Sequence, residues 1–165
     1  MTQGVLYIHS APRALAPHIE WAASGVLGVP AAMRWREQPV GRGLVRSDLT
    51  WRGREDTGSR LVSALRGWDE VRYEVHQDAT PQADGARWSC TPDLGIFHAA
   101  TDRAGNTVLT EDHVRGCMER ARTSNDPLAL QRELAIALGE PWDADLEIYR
   151  HAGEGHRMRW LRSVV

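Results

Sequence analysis

The sequence predicts an α+β fold: a ferredoxin-like βαββαβ first half over residues 1–78, and a second α+β half over residues 86–165 that packs against it and shares its core. Three observations lead there. Between Gly4 and His76 apolar residues recur in the order strand, helix, strand, strand, helix, strand. The chain has 165 residues, 42% hydrophobic and 25% charged with seven Trp, enough apolar material to offset the entropy of ordering it. A polar stretch from Asp78 to Gly85, carrying Thr80, Pro81, Gln82 and Asp84, then reads as a linker before a further set of strand and helix patterns.

Val5 to Ile8 is apolar on both strand faces, the mark of a central strand covered on both sides. Ser10, Pro12 and Pro17 punctuate a turn and a helix start. Ile19, Ala22, Ala23, Val26 and Leu27 follow at helical spacing until Gly28 and Pro30 stop the helix. Met33 and Trp35 alternate with Arg34 and Arg36. Beyond the Gly41-Arg42-Gly43 turn, Val45, Leu49 and Trp51 alternate with Arg46, Asp48 and Arg52, so the two runs predict a hairpin with one apolar face. Asp56 or Thr57 caps a second helix bearing Leu61, Val62 and Leu65, and Val71, Tyr73 and Val75 then alternate with Arg72, Glu74 and His76. The first unit is thereby a four-stranded antiparallel sheet with two helices on one face.

In the second half, strands are expected near Arg87 to Cys90 and Leu94 to Ala100, with a turn at Asp102 to Asn106 and a short strand at Thr107 to Leu109. Thr110 reads as a helix cap. Glu111 and Asp112 follow in the first turn, where carboxylates meet the positive end of the helix dipole, and Val114, Cys117, Met118 and Ala121 form the apolar stripe. Asp126 and Pro127 start another helix, with a stop at Gly139 and Pro141. From Asp143 the pattern is open: Leu146, Ile148 and His151 fit a strand or a short helix, and Met158, Trp160 and Val164 a last strand.

Net charge is −2, from 20 basic and 22 acidic residues, so no global field draws the chain to nucleic acid or acidic lipid. All the basic residues are Arg, which excludes a Schiff-base lysine and leaves guanidinium as the one permanent cation. The aromatics Trp35, Trp51 and Tyr73 fall on the helix-packed side of the sheet, so the open face lacks the stacking platform of an RNA-binding sheet. Cys90 and Cys117 are too few and too far apart for a disulfide framework or a CxxC site. With no basic leader and no run of eighteen apolar residues, the expectation is a cytoplasmic protein with no membrane segment.

No catalytic motif is readable. Ser10, His98 and Asp93 lack the GxSxG context of a hydrolase, and seven His without HExxH or paired Cys predict neither a metal nor a cofactor. The richest polar cluster is the first strand-to-helix junction. There His9, Ser10 and Arg13 stand beside unpaired helix N–H groups that can hold a phosphate or carboxylate, and His98 on a later strand can meet His9 across the two halves. His9, Ser10, Arg13 and His98 are therefore the candidate ligand-binding residues, lining a cleft between the halves.

GVLYIHSAPRALAPHIEWA from Gly4 to Ala22, SALRGW from Ser63 to Trp68 and TPDLGIFHA from Thr91 to Ala99 resemble a family of actinobacterial proteins defined only by a domain of unknown function. The similarity covers nearly the whole chain. It implies an actinobacterial cytoplasmic protein and a genomic setting near fatty-acid-synthesis genes, and brings no activity, cofactor or catalytic residue. The expected function is a non-catalytic binding or regulatory protein taking a protein partner or a small anionic metabolite, and free sheet edges would allow a homodimer. The alternative is a small enzyme acting on an acyl or phosphorylated metabolite, with His9 or His98 as acid-base and Arg13 holding the anion.

Overall fold

The computed structural model describes residues 1–152. Its strands are β1 (Thr2–Pro12), β2 (Arg36–Glu37), β3 (Leu44–Gly53), β4 (Arg72–Gln77), β5 (Gly85–Thr91), β6 (Gly95–Thr101) and β7 (Thr107–Val108). They form one antiparallel sheet in the order β2-β3-β1-β4-β5-β6-β7. The helices are α1 (Ala16–Leu27), α2 (Thr57–Leu65), α3 (Glu111–Arg122), α4 (Ala129–Leu138) and α5 (Glu140–His151). The α+β class holds, and the four strands expected in the first unit join three expected in the second half in one continuous sheet. The reason is that β5 pairs directly with β4, from Tyr73 opposite Cys90 to Gln77 opposite Ala86. The polar stretch after Asp78 is thus the loop of a hairpin inside the sheet.

One face carries the apolar core. Alternation along β1 turns Leu6 and Ile8 to this side, where they meet Trp51 of β3, Tyr73 and Val75 of β4, Ile19 and Ala23 of α1, and Leu61 and Leu65 of α2. Each such side chain, fully buried, stabilises the fold by about 1.5–3 kcal/mol. Gly4 lets the Trp51 indole lie flat on the central strand, since a Cβ there would stand 2.5 Å from the ring and 2.0 Å from the His76 carbonyl. Pro17 in the first turn of α1 and Gly28 at φ 70° after its last residue match the ordinary start and stop of a helix.

The second strand is much shorter than its alternation implied. The segment before it is held by side-chain bonds in place of a backbone ladder: the Ala31 amide donates to Ser24 Oγ of α1 at 2.8 Å, the Trp35 indole N–H to Glu20 Oε1 of α1 at 2.8 Å, and Ser47 Oγ of β3 to the Arg34 carbonyl at 3.0 Å. Only Arg36 and Glu37 remain to pair, although Met33 is buried in the core as its apolar character requires.

Helix α5 covers part of the opposite face. Gly139, at φ 85°, ends α4 in the left-handed conformation, and the chain turns at once into α5 with Pro141 in its first turn. Pro141 therefore starts a helix where a stop was expected. The stretch from Asp143 to His151 is helical, with Leu146 inside. The strand expected around Met158, Trp160 and Val164 lies outside the described residues. No helix among those described is long and apolar enough to cross a membrane.

Candidate functional site

Strand β1 carries a bulge. Ile8 faces Ser47 and Ala11 faces Val45, so two residues, His9 and Ser10, oppose the single Arg46 of β3. Against β4 the same step takes Ile8 opposite Tyr73 to Ser10 opposite Arg72. A bulge bends the strand and re-aims a side chain. Here the extra residue brings Ala11 back to the core after Ile8, and His9 stays on the α5 face beside Tyr7, where its Nε2 lies 2.7 Å from Glu74 Oε2.

Glu74, 3% exposed in the middle of β4, accepts from several segments at once. Besides His9, Ser89 Oγ of β5 donates to Oε1 at 3.1 Å, and Arg150 of α5 donates through Nε to Oε2 at 3.0 Å and through Nη2 to Oε1 at 2.6 Å. Such a two-pronged guanidinium–carboxylate pair is both strong and directional. Burial by itself would raise the Glu74 carboxyl, but the contacts of His76, His9 and Arg150 and the Arg150 charge outweigh it and hold the group well below the usual carboxylate range. Arg150 also reaches Asp143 Oδ1 at 2.7 Å, and Asp143 accepts from Arg87 Nη2 at 2.9 Å. Arg72 completes the clamp, with Nε 3.3 Å from Asp145 and its guanidinium over the Tyr149 ring.

Beside this clamp, between the C-terminal turn of α5 and the sheet, lies a cleft of about 540 Å³ lined by Tyr7, His9, Arg36, Arg46, Asp48, Glu74, His76, Tyr149 and Arg150 among others. Its floor is aromatic: Tyr7 stacks on His9 with ring centres 5.9 Å apart and meets His76 edge-on at 5.6 Å. Burial, followed by the charges of Asp48 and Glu74, raises the Tyr7 phenol, so it remains a neutral donor. Three guanidinium groups face two carboxylates here. Glu74 is taken by Arg150, and Asp48 accepts from Arg36 at 2.8 Å. Arg46 stands directly opposite Arg36, an unfavourable like-charge pairing, and its guanidinium has no hydrogen bond or ion pair among the described residues. Its Nε is buried and unsatisfied, whereas the buried Nε2 of His76 stands 3.6 Å from Glu74 Oε1, just beyond hydrogen-bond length. The arrangement can hold an anion and can hand a proton to or from His9.

Of the four residues expected to line one cleft, only His9 does. Ser10 is buried in the bulge. Arg13 sits in a short 3-10 turn, exposed and ion-paired with Glu37. His98 is on the wrong side of the sheet: its ring stacks on Trp88 at 4.9 Å, on the face that carries α1 and α2. It is also three strand steps from β1, about 14 Å at the ordinary strand spacing. The expected meeting of His9 and His98 fails because the second half extends the sheet edgewise. Arg46, Glu74, Tyr149 and Arg150 were missed as site residues. Alternation did place Arg46, Glu74 and His76 on one face, but the helix that closes over them was not readable.

Among the described residues no group of three His, Cys, Asp or Glu is placed to hold a metal ion. The family described as Protein of unknown function (DUF3145) matches residues 5–163. The chain belongs to this family. The match takes in β1 with its bulge, the cleft and α5, so the site lies wholly within the family's domain. No curated protein and no solved structure matches the chain.

Proposed function

We propose that this is a non-catalytic binding or regulatory protein of the actinobacterial cytoplasm, and that its ligand is a small anionic metabolite held in the cleft beside α5. The observation that carries this reading is Arg46, a half-buried guanidinium without a counter-ion in a cleft whose two carboxylates are already engaged. A buried charge left unpaired is costly, and an incoming carboxylate or phosphate relieves that cost. The anchoring role expected of Arg13 passes to Arg46, because Arg13 is spent on Glu37 at the surface. Thermal-shift and calorimetric titration with small carboxylates and phosphates tests it. Anions are expected to bind and neutral analogues not to, with Arg46→Gln lowering affinity at least about tenfold, the loss of one charge-assisted hydrogen bond. Unchanged binding in that variant would overturn the reading.

The 2.7 Å contact of His9 with Glu74 supports a second reading, a small enzyme acting on an acyl or phosphorylated metabolite. In it Glu74 orients the imidazole and His9 moves the proton. His98, stacked on Trp88 with its basicity lowered by burial, has no comparable carboxylate. Turnover of a bound ligand that disappears in His9→Phe would favour this reading over simple binding.

A further inference from the structure

The geometry points to the occupant of the cleft: an anion that also bears a hydroxyl group, its charged end on Arg46 and its hydroxyl donating to Nδ1 of His9. This rests on the reading of the cleft as an anion site and names the class of anion. Glu74 is ionised and can only accept, so the proton between it and His9 sits on Nε2. In its neutral form the imidazole then presents a lone pair at Nδ1. Nδ1 has no partner among the described residues, and His9 lines the cleft. Arg46 is the residue opposite the bulge, which makes it the cross-strand neighbour of His9. Such neighbours on one face stand about 5 Å apart at Cβ, a separation that a few ligand atoms span. The tautomer then discriminates. A plain carboxylate or phosphate can pair with Arg46 but offers only acceptor oxygens to a nitrogen that is itself an acceptor, whereas a hydroxyl on the adjoining carbon supplies the missing donor. The Tyr7 ring, stacked beside His9, provides an apolar bed for the carbon skeleton.

The experiment is calorimetric titration of the full chain at pH 8 with two matched pairs, lactate against propionate and glycerol 3-phosphate against propyl phosphate. The hydroxylated member is expected to bind about tenfold tighter in one pair, and that pair identifies the charged group as carboxylate or phosphate. His9→Phe is expected to erase the preference, so that the two members of each pair bind that variant with equal affinity. Should that variant not fold, long-range ¹H–¹⁵N spectra of the parent chain decide. They are expected to show His9 Nδ1 unprotonated and shifted by the hydroxylated member alone. Equal affinity within both pairs, or an Nδ1 resonance that responds equally to both members, overturns the inference and leaves the anion site standing. Absence of binding by all four compounds overturns both.

Discussion

Glu74 ties β1, β4, β5 and α5 together through a single carboxylate. Glu74→Ala leaves Arg150 and His9 facing an unfilled space. It should cost about 3 kcal/mol in urea unfolding, the low end for a broken buried pair, because the Arg150 side chain keeps part of its exposure. Acidity tests the same residue. The folded carboxyl titrates below its ordinary value of 4.5, so between the two values the unfolded chain binds more protons and stability rises with pH. The Glu74 contribution is present in full above about pH 5.5 and drains away as the pH drops below the ordinary value. The stability gap between the parent chain and Glu74→Gln should therefore be constant near neutrality and narrow in acid; a gap that widens in acid would contradict the network. Gly4→Ala probes the other face, where the added methyl meets the Trp51 indole and the His76 carbonyl and should cost about 3 kcal/mol by overpacking. At this scale the sequence revealed the face to which His9, Arg46 and Glu74 belong, since strand alternation is local. It concealed the bulge, which depends on how two strands register across more than thirty residues. It also concealed that Glu74 is buried, because a charged residue between Tyr73 and Val75 has the same pattern on a solvated face.

Among the elements, α5 differs most from the others in how it is attached. Leu146 is its one buried side chain, Trp142 packs on Phe97 with its indole N–H on the Gly95 carbonyl, and the buried Gln38 amide donates to the Tyr149 carbonyl at 3.2 Å, while much of the remaining contact is guanidinium and carboxylate. The position of α5 depends on the Gly139 corner, where a Cβ would stand 2.6 Å from Arg87 Nη2 and 2.7 Å from the Phe97 ring in a backbone already at φ 85°. Gly139→Ala should displace α5, seen as a change in Trp142 fluorescence and weaker ligand binding, with helix content nearly unchanged in circular dichroism. For α3, Thr110 accepts from the His113 amide, and Thr110→Ala should cost about 1 kcal/mol as a lost N-cap. Helices α1, α2 and α3 were legible from their apolar stripes and local punctuation, although of the caps expected at Asp56 or Thr57 and at Thr110 only Thr110 makes its side-chain bond. Helix α5 was not, since Pro141 reads equally as the end of one helix or the first turn of the next, and only the left-handed Gly139 decides. The brevity of β2 escaped the sequence for a similar reason: alternation reports which side chains turn inward, whereas pairing was lost to side-chain hydrogen bonds.

Over the whole molecule, burial is lopsided. The face under α1 and α2 holds the large apolar cluster, while α3 and α4 contribute only Cys117, Ala129 and Ala137 to the buried set and leave Met118, Leu130 and Ile136 exposed. Amide hydrogen exchange should accordingly be fastest in α3 and α4 and slowest in β1, β3 and β4, the pattern of a sheet that opens globally and a helical hairpin that opens by itself. The strand order has a consequence for synthesis. β1 lies between β3 and β4, and sixty residues separate Pro12 from Arg72. At the usual pace of translation, about 5–20 residues per second, β1 waits roughly 3–12 s for its second neighbour to leave the ribosome. Through that interval Leu6 and Ile8 can rest on Ile19, Trp51 and Leu61 but lack Tyr73 and Val75, so one edge of the nascent strand stays open for pairing until β4 arrives.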